Sequence, residues 1–405
     1  MKPGAGPLQG IRIVDMSVML LGPYATQMLG DLGADVIKVE PLEGDGRRSL
    51  GPHRHPAMAS QFLNVNRSKR SIALDLKQPA ARDVLLRLCT TADVFVHNSR
   101  RAAVKRLKLD YGHIQRVNPA IVYCSAAGFG ADGPYADKPA YDDMIQGLAA
   151  IPALQQKLTG MPHYIPLNLS DRNCGLVFTS TILAALLYRE RTGEGQAVEL
   201  PMFETMADFV LSEHQWGRVF EPPIASMGAA RLFERKPSPT LDGHICYWIG
   251  TDQQAAALFD VIGRPELRND ERFRLRAYRN RNLVPFYAAV DLELAKRTTA
   301  EWMPLLAAAD IPAMPMHTLE SLMDDPHLKA TGFFETVEHP SEGKLVMSRV
   351  ATRWSKSQPG SPGSAPRLGE HTTELLSEAG YSTAEITALL ESGALRAATP
   401  PARMR

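Results

Sequence analysis

Short apolar runs recur along the N-terminal half of the chain, separated by stretches of helical period. Residues 11–15 predict a strand, Gly22-Pro23 a loop, 24–32 a helix and 36–40 a second strand. The alternation continues with a strand at 71–76, a helix at 79–88, a strand at 93–97, a helix at 102–107 and a strand at 120–126. A long helix is expected over 173–191, closed by Thr192-Gly193, with a return strand at 197–201. Strands separated by helices must run parallel, because each crossover carries the chain back to the same edge. The pattern therefore predicts an α/β fold with a Rossmann-like, doubly wound parallel sheet.

Beyond about residue 220 the period is less regular. A strand is expected at 245–249, and a helix at 298–309 whose Thr298 and Glu301 form a capping box. These elements predict a smaller α+β domain. The Pro-, Gly- and Ser-rich stretch 357–366 is expected to be a linker. After it, Ser382 and Glu385 form another capping box before an apolar run at 386–390, and Gly393 closes that helix. The expected boundaries are 1–215 for the large domain, 216–344 for the smaller one with its linkers, and 345–405 for a C-terminal segment.

Charge removes whole classes of partner from consideration. Lys plus Arg total 45 against 44 Asp plus Glu, and a net charge of +1 gives no global attraction to nucleic acid or to an anionic membrane. Four cysteines (Cys89, Cys124, Cys174 and Cys246) are widely spaced without a CxxC pair, so neither a disulfide framework nor a zinc site is expected. The N-terminal MKPGAGPLQG lacks the apolar stretch of a signal peptide, and no run reaches the roughly 18 apolar residues of a membrane span. The expectation is a cytoplasmic protein.

The candidate chemistry begins with a motif that fails. Gly128, Gly130 and Gly133 match a dinucleotide-binding pattern after a strand, but Pro134 and Pro139 interrupt the helix whose amides would hold a pyrophosphate. Glu40 ends the second strand where a ribose-binding acid often stands, yet the first loop has only Gly22. Basic residues cluster at Arg47, Arg48 and Arg54; at Arg67, Lys69, Arg70 and Lys77; and at Arg100, Arg101, Lys105, Arg106 and Lys108. Such runs are commonly solvated faces, but three of them near the strand ends of one sheet also suit a polyphosphate ligand. Asp171, in NLSDRNCG at 168–175, stands where an aspartate caps a helix. The same carboxylate, held anionic by the positive end of the helix, could attack a thioester carbonyl.

Four stretches carry a resemblance along nearly the whole chain. They are LQGIRIVD at 8–15 with GPY at 22–24 and LGADVIKVE at 32–40; NRSKRS at 66–71 with LDLK at 74–77; Asp171 with RERTGEGQ at 189–196; and APRLGEH at 365–371. In these the chain resembles the class III CoA transferases of the CaiB/BaiF type. The resemblance implies that CoA moves from an acyl-CoA to a small carboxylic acid through a covalent intermediate on Asp171, with no metal and no cofactor beyond CoA itself. It also implies CoA contacts at Leu74, Lys77, Asn98, Arg106 and Tyr141, and an interlocked homodimer in which the C-terminal segment rejoins the first domain. Two departures stand out. NSRRA at 98–102 replaces the family's Asn-Phe-Arg-Pro-Gly, and the stretch 215–236, where some members carry a glycine-rich lid, has only Gly217 and Gly228.

Two rival readings share these residues. An α-methylacyl-CoA racemase needs a second acid/base, and the family's histidine falls at Tyr141, whose ordinary pKa near 10 suits that duty poorly. A non-catalytic CoA-binding protein would keep the basic clusters and have no use for Asp171. On the transferase reading, Arg172 and Tyr141 are candidates to meet the second carboxylate of a dicarboxylic substrate.

Overall fold

The computed structural model describes residues 6–225 and 230–398. The chain divides into two compact units, residues 1–210 with 329–405 and residues 211–328. In the larger unit, strands β1 (Arg12–Asp15), β2 (Asp35–Glu40), β3 (Lys69–Leu74), β4 (Val94–His97), β5 (Val122–Ala127) and β6 (Ala197–Pro201) run parallel in the order 3-2-1-4-5-6. The mostly parallel sheet of the sequence reading is therefore present. Its order reverses at β1, which pairs with both β2 and β4. This is the switch point at which such sheets open a crevice.

Helices cover both faces because the strands are apolar on both faces. On one side lie α1 (Leu21–Asp31), α6 (Asp142–Leu148), α8 (Leu169–Thr192) and α9 (Met202–His214), whose Leu21, Ala25, Ile145, Phe178 and Met206 pack on Ile13, Val94 and Cys124. On the other lie α3 (Pro79–Cys89), α4 (Arg101–Arg106) and α5 (Tyr111–Val117), packed through Val84, Leu85 and Ile114 on Val14, Ile37 and Phe95. The remaining helices of this unit are α2 (Ser60–Val65) and α7 (Ile151–Thr159).

Several expected boundaries shift, each for a local reason. Helix α1 starts at Leu21 and passes through Gly22-Pro23. Proline is tolerated in a first turn, and a Cβ at Gly22 would lie 2.3 Å from that of Ser17. Strand β3 starts at Lys69 rather than 71, with Lys69 and Arg70 buried as partners of Asp15 and Asp35. Helix α8 starts at Leu169, not 173, so Asp171 lies inside its first turn and Asn168 occupies the cap position. The expected ending holds: Gly193 takes φ +78, a left-handed conformation open to glycine at little steric cost.

The chain from residue 329 onward belongs to the larger unit, so the boundary expected at 344/345 lies at 328/329 and the one expected at 215/216 at 210/211. Hairpin strands of this segment, Phe334–His339 and Gly343–Ser348, are followed by 357–366, which has no regular element but is no loose linker. The amide of Gly363 donates to Ser68 Oγ at 3.0 Å, and Ala365 is buried. APRLGEH then locks onto the sheet. Pro366 O accepts from Arg48 at 3.1 Å, the Gly369 amide donates to Ser71 Oγ at 3.0 Å, and His371 exchanges bonds with the Ser71 backbone. Helices Thr372–Glu378 and Thr383–Glu391 follow, the second with the expected Ser382–Glu385 box, and Leu395–Arg396 adds an antiparallel edge strand to β3.

The smaller unit has a three-stranded antiparallel sheet, Ser238–Pro239, His244–Tyr247 and Ala313–Pro315. Ile245, Phe259, Phe273, Phe286 and Trp302 form its core, and Thr298 with Glu301 caps the helix Thr299–Ala308 as expected. Cys89, Cys124 and Cys174 are buried free thiols, and Cys246 is an exposed one. No helix among the described residues is long and apolar enough to cross a membrane.

Candidate active site

All six parallel strands end at one edge; Lys77 and Asn98 follow β3 and β4 there, while Leu74 lies in β3, Arg106 ends α4 and Asp171 lies in the first turn of α8. A buried charge network holds this edge together. Asp15, at the end of β1, accepts from Thr26 at 2.6 Å, from Lys69 at 3.1 Å and from the Ser17 amide at 2.9 Å. Lys38 Nζ, fully buried, donates to Ser17 O at 3.1 Å and to Asp45 at 2.8 Å. Asp45 in turn accepts from the amides of Met19 at 3.3 Å and Arg47 at 2.9 Å. Each buried ion has an opposite partner and further hydrogen bonds, the condition under which burial of charge is tolerated.

Asp171 is positioned from a neighbouring helix. Asp142, in the first turn of α6, accepts the Asp171 amide through Oδ1 at 2.9 Å and takes a bond from Gln146 Nε2 through Oδ2 at 2.7 Å. Gln146 also donates to Leu167 O at 3.1 Å and accepts from the Ile165 amide at 3.1 Å, so two side chains of α6 tie down the approach to α8. Asp142 thus satisfies one of the orphan amides of a helix start that lacks a local side-chain cap. Burial and then the Asp142 carboxylate push the Asp171 carboxyl up to about 6, against the opposing pull of Arg47 and Arg172. The net shift runs opposite to the expectation from the helix end alone, because desolvation and a like charge outweigh the helix field.

Beside Asp171 opens a cleft of about 700 Å³, lined in part by Arg47, Gln61, Asn64, Tyr164, Asn168 and Arg172. Arg172 lies 4.2 Å over the Tyr24 ring. Arg47 is buried and Arg172 exposed, and both lie close enough to Asp171 to stabilise its anion.

The other residues singled out from sequence divide into two groups. Lys77 and Arg106 are exposed, the first in the turn after β3 and the second at the end of α4. Leu74 is buried in β3 opposite Leu395, with its side chain in the core. Asn98, after β4, accepts from the Val18 amide at 2.9 Å and donates to Val18 O at 2.8 Å, bridging the two loops at the switch point. Tyr141 occupies the N-cap position of α6 without a side-chain bond to the helix and is 64% exposed.

The basic clusters are not one field. Arg48 pairs with Glu40, Arg67 with Asp31, Lys69 with Asp15, Arg70 with Asp35, and Arg101 with Glu199. These cations hold the fold, and Glu40 is an internal counter-ion rather than a ribose ligand. Gly128–Gly133 lies in a loop pinned by Arg101 through Phe129 O at 2.8 Å, and no helix opens at Gly133, the next one, α6, starting only at Asp142. The lid stretch 215–236 includes residues 226–229, among them Gly228, which lie outside the described residues. Asp142 and Gln61 were not anticipated. Asp142 adjoins Tyr141 in the stretch PAYD at 139–142, and the pair Asp142/Gln146 at helical spacing is the signal that points to it.

The comparisons with known proteins bear on the family to which the chain belongs. The profile of CoA-transferase family III matches residues 8–372. A succinyl-CoA:glutarate CoA-transferase of Mus musculus is 31% identical over 96% of this chain and 90% of its own. An acetyl-CoA:oxalate CoA-transferase of Acetobacter aceti is 35% identical over 77% of this chain and 81% of its own. The crystal structure of a CaiB/BaiF family protein from Brucella suis superposes with a TM-score of 0.81 at 31% identity, covering 93% of this chain and 100% of that one. The match of the family profile to nearly the whole chain, together with these relatives and this fold, makes the protein a member of CoA-transferase family III and an enzyme of that class.

Proposed function

We propose that the protein transfers CoA from an acyl-CoA to a free carboxylic acid with Asp171 as the covalent nucleophile. The observation that carries this reading is the state of Asp171. Its carboxyl, raised to about 6, is mostly ionised at neutral pH yet more basic than an ordinary carboxylate, and it stands beside a cleft with two arginines in electrostatic reach. In the first step an Asp171 oxygen bonds to the thioester carbonyl carbon, the C–S bond breaks, and CoA leaves as thiolate with a mixed anhydride behind it. The thiolate then attacks the aspartyl carbonyl and expels the donor acid as carboxylate, leaving an aspartyl-CoA thioester. The acceptor carboxylate repeats the two steps in reverse. No proton or electron is gained or lost overall.

The CoA site of this reading uses Lys77 and Arg106 for the phosphates, their exposure leaving both free to reach a ligand. Leu74 supports the strand end from which Lys77 emerges, Asn98 shapes the crevice by joining its two loops, and Tyr141, exposed just before α6, is open to a ligand. The reading includes a homodimer of interlocked chains, supported by the apolar Leu176, Leu187 and Tyr188 of α8 and Phe209 of α9, all exposed in the single chain. It includes a cytoplasmic setting, since a multiply charged acyl-CoA does not cross a bilayer unaided.

Mass spectrometry after incubation with a panel of acyl-CoA donors and a hydroxylamine quench tests the chemistry. A hydroxamate at Asp171 is expected. No adduct with any donor, alongside α-deuterium exchange in a branched acyl-CoA, would replace transfer by racemisation.

A further inference from the structure

The single 3₁₀ turn Gly46–Ser49 sends two adjacent arginines in opposite directions. Arg48 turns inward: it donates to both Glu40 oxygens at 2.7 Å and lies 3.7 Å over the Phe62 ring. Arg47 turns to the cleft. It is 5% exposed, one guanidinium nitrogen donates to Gln61 Oε1, and its buried Nε has no hydrogen-bond partner among the described residues. A buried guanidinium N–H left unpaired is unusual, because the group gives up its water and gains nothing in return. The backbone of this residue is held by Asp45, which is itself clamped by the fully buried Lys38. The cation is therefore placed rigidly in the wall of the cleft.

The rest of the cleft narrows what this cation could bind. Arg172 contributes a second cation, Gln61, Asn64 and Asn168 contribute neutral polar groups, and Asp143 is the one acidic residue of the lining. Asp171 is not itself in the lining, but its neighbours Leu169 and Arg172 are, and Arg47 and Arg172 both act on its charge, so an acyl group carried on Asp171 into this space would meet two cations. The phosphates of CoA are assigned above to Lys77 and Arg106, which are not part of the lining.

We infer that Arg47, whose side chain lines the cleft, binds the remote carboxylate of a short dicarboxylic acid whose other end reacts at Asp171, and so selects diacids over monoacids. The inference rests on the aspartyl transfer proposed above. A monoacid of equal length would place a methyl group against the guanidinium and leave the cation without a counter-charge. Sites built to pair a polar group discriminate strongly against analogues lacking the partner.

The experiment compares acceptors of matched length, succinate against butyrate and glutarate against pentanoate, in wild type, Arg47→Met and Arg47→Lys. Wild type should favour the diacid in kcat/KM by at least ~100-fold. Arg47→Met should collapse that ratio by at least ~30-fold, chiefly through KM for the acceptor, and Arg47→Lys should restore part of it. Equal losses for diacids and monoacids, or a ratio that Arg47→Met leaves unchanged, overturn the inference and leave Asp171 transfer standing. Failure of the wild type to form the Asp171 hydroxamate would remove the transfer itself, so the two failures are distinguishable. If Arg47→Met does not fold, the ratio in Arg47→Lys decides, because a point-charge lysine cannot reproduce the planar fork: an unchanged ratio there overturns the inference.

Discussion

Asp142 Oδ1 accepts the backbone N–H of Asp171 at 2.9 Å, so the carboxylate that anchors the first turn of α8 is also a like charge beside the proposed nucleophile. One contact both fixes the position of Asp171 and adds to the upward shift that its burial begins.

The reactive form is the anion, so kcat/KM should rise with pH through a midpoint near 6. Asp142→Asn keeps an oxygen to accept the Asp171 amide and removes the charge, so the midpoint should move down. Burial, the larger cause, remains, and the midpoint should stay above the ordinary aspartate range. A pH–rate profile whose acid limb is unmoved or displaced upward in the variant would contradict this account.

Asp171→Asn should lose at least ~10³-fold in turnover while gaining stability at high pH. The folded pKa of Asp171 lies above its ordinary value, so folding favours the protonated form, and ionisation above about 6 costs stability. The amide escapes that cost. The variant should be more stable by on the order of 1–3 kcal/mol at pH 8, and the gain should vanish below pH 4. Thermal or urea unfolding at the two pH values checks the sign.

Lys77→Ala and Arg106→Ala should each raise KM for acyl-CoA by about 5-fold while changing kcat less than about twofold, with effects that shrink at high salt. An acyl-pantetheine donor, which lacks the nucleotide phosphates, provides the control. Equal sensitivity to the two variants with this donor would remove both residues from the CoA site.

Lys69→Met should destabilise the protein by about 3–5 kcal/mol, because it strips the nearest cation from the buried Asp15 carboxylate. Urea denaturation measures the loss, and a change under about 1 kcal/mol would show that Lys38 alone can neutralise Asp15.

The alternation of apolar runs made the large sheet legible. A parallel strand must be apolar on both faces, and a crossover of this kind leaves a helical period between strands. The strand 197–201 falls where the pattern puts it, as do both capping boxes, since these depend on residues three apart. Asp171 stood out through its motif and its place near a helix start. What the chain's own sequence could not decide was which way each charge faces. Arg47 and Arg48 are neighbours with the same side chain, and only the distant Glu40, Phe62 and Pro366 make one a strut and leave the other at the cleft. Strand β3 starts two residues earlier than its charges suggest, because Asp15 and Asp35 lie on neighbouring strands that neutralise Lys69 and Arg70. The same reason governs Asp171. Local spacing reads it as a cap, but its amide is satisfied by Asp142 from another helix, and its raised pKa comes from burial and from that same residue. Periodicity is a local property and survives in the sequence, whereas desolvation and charge pairing depend on groups far apart in the chain, and only the folded structure brings them together.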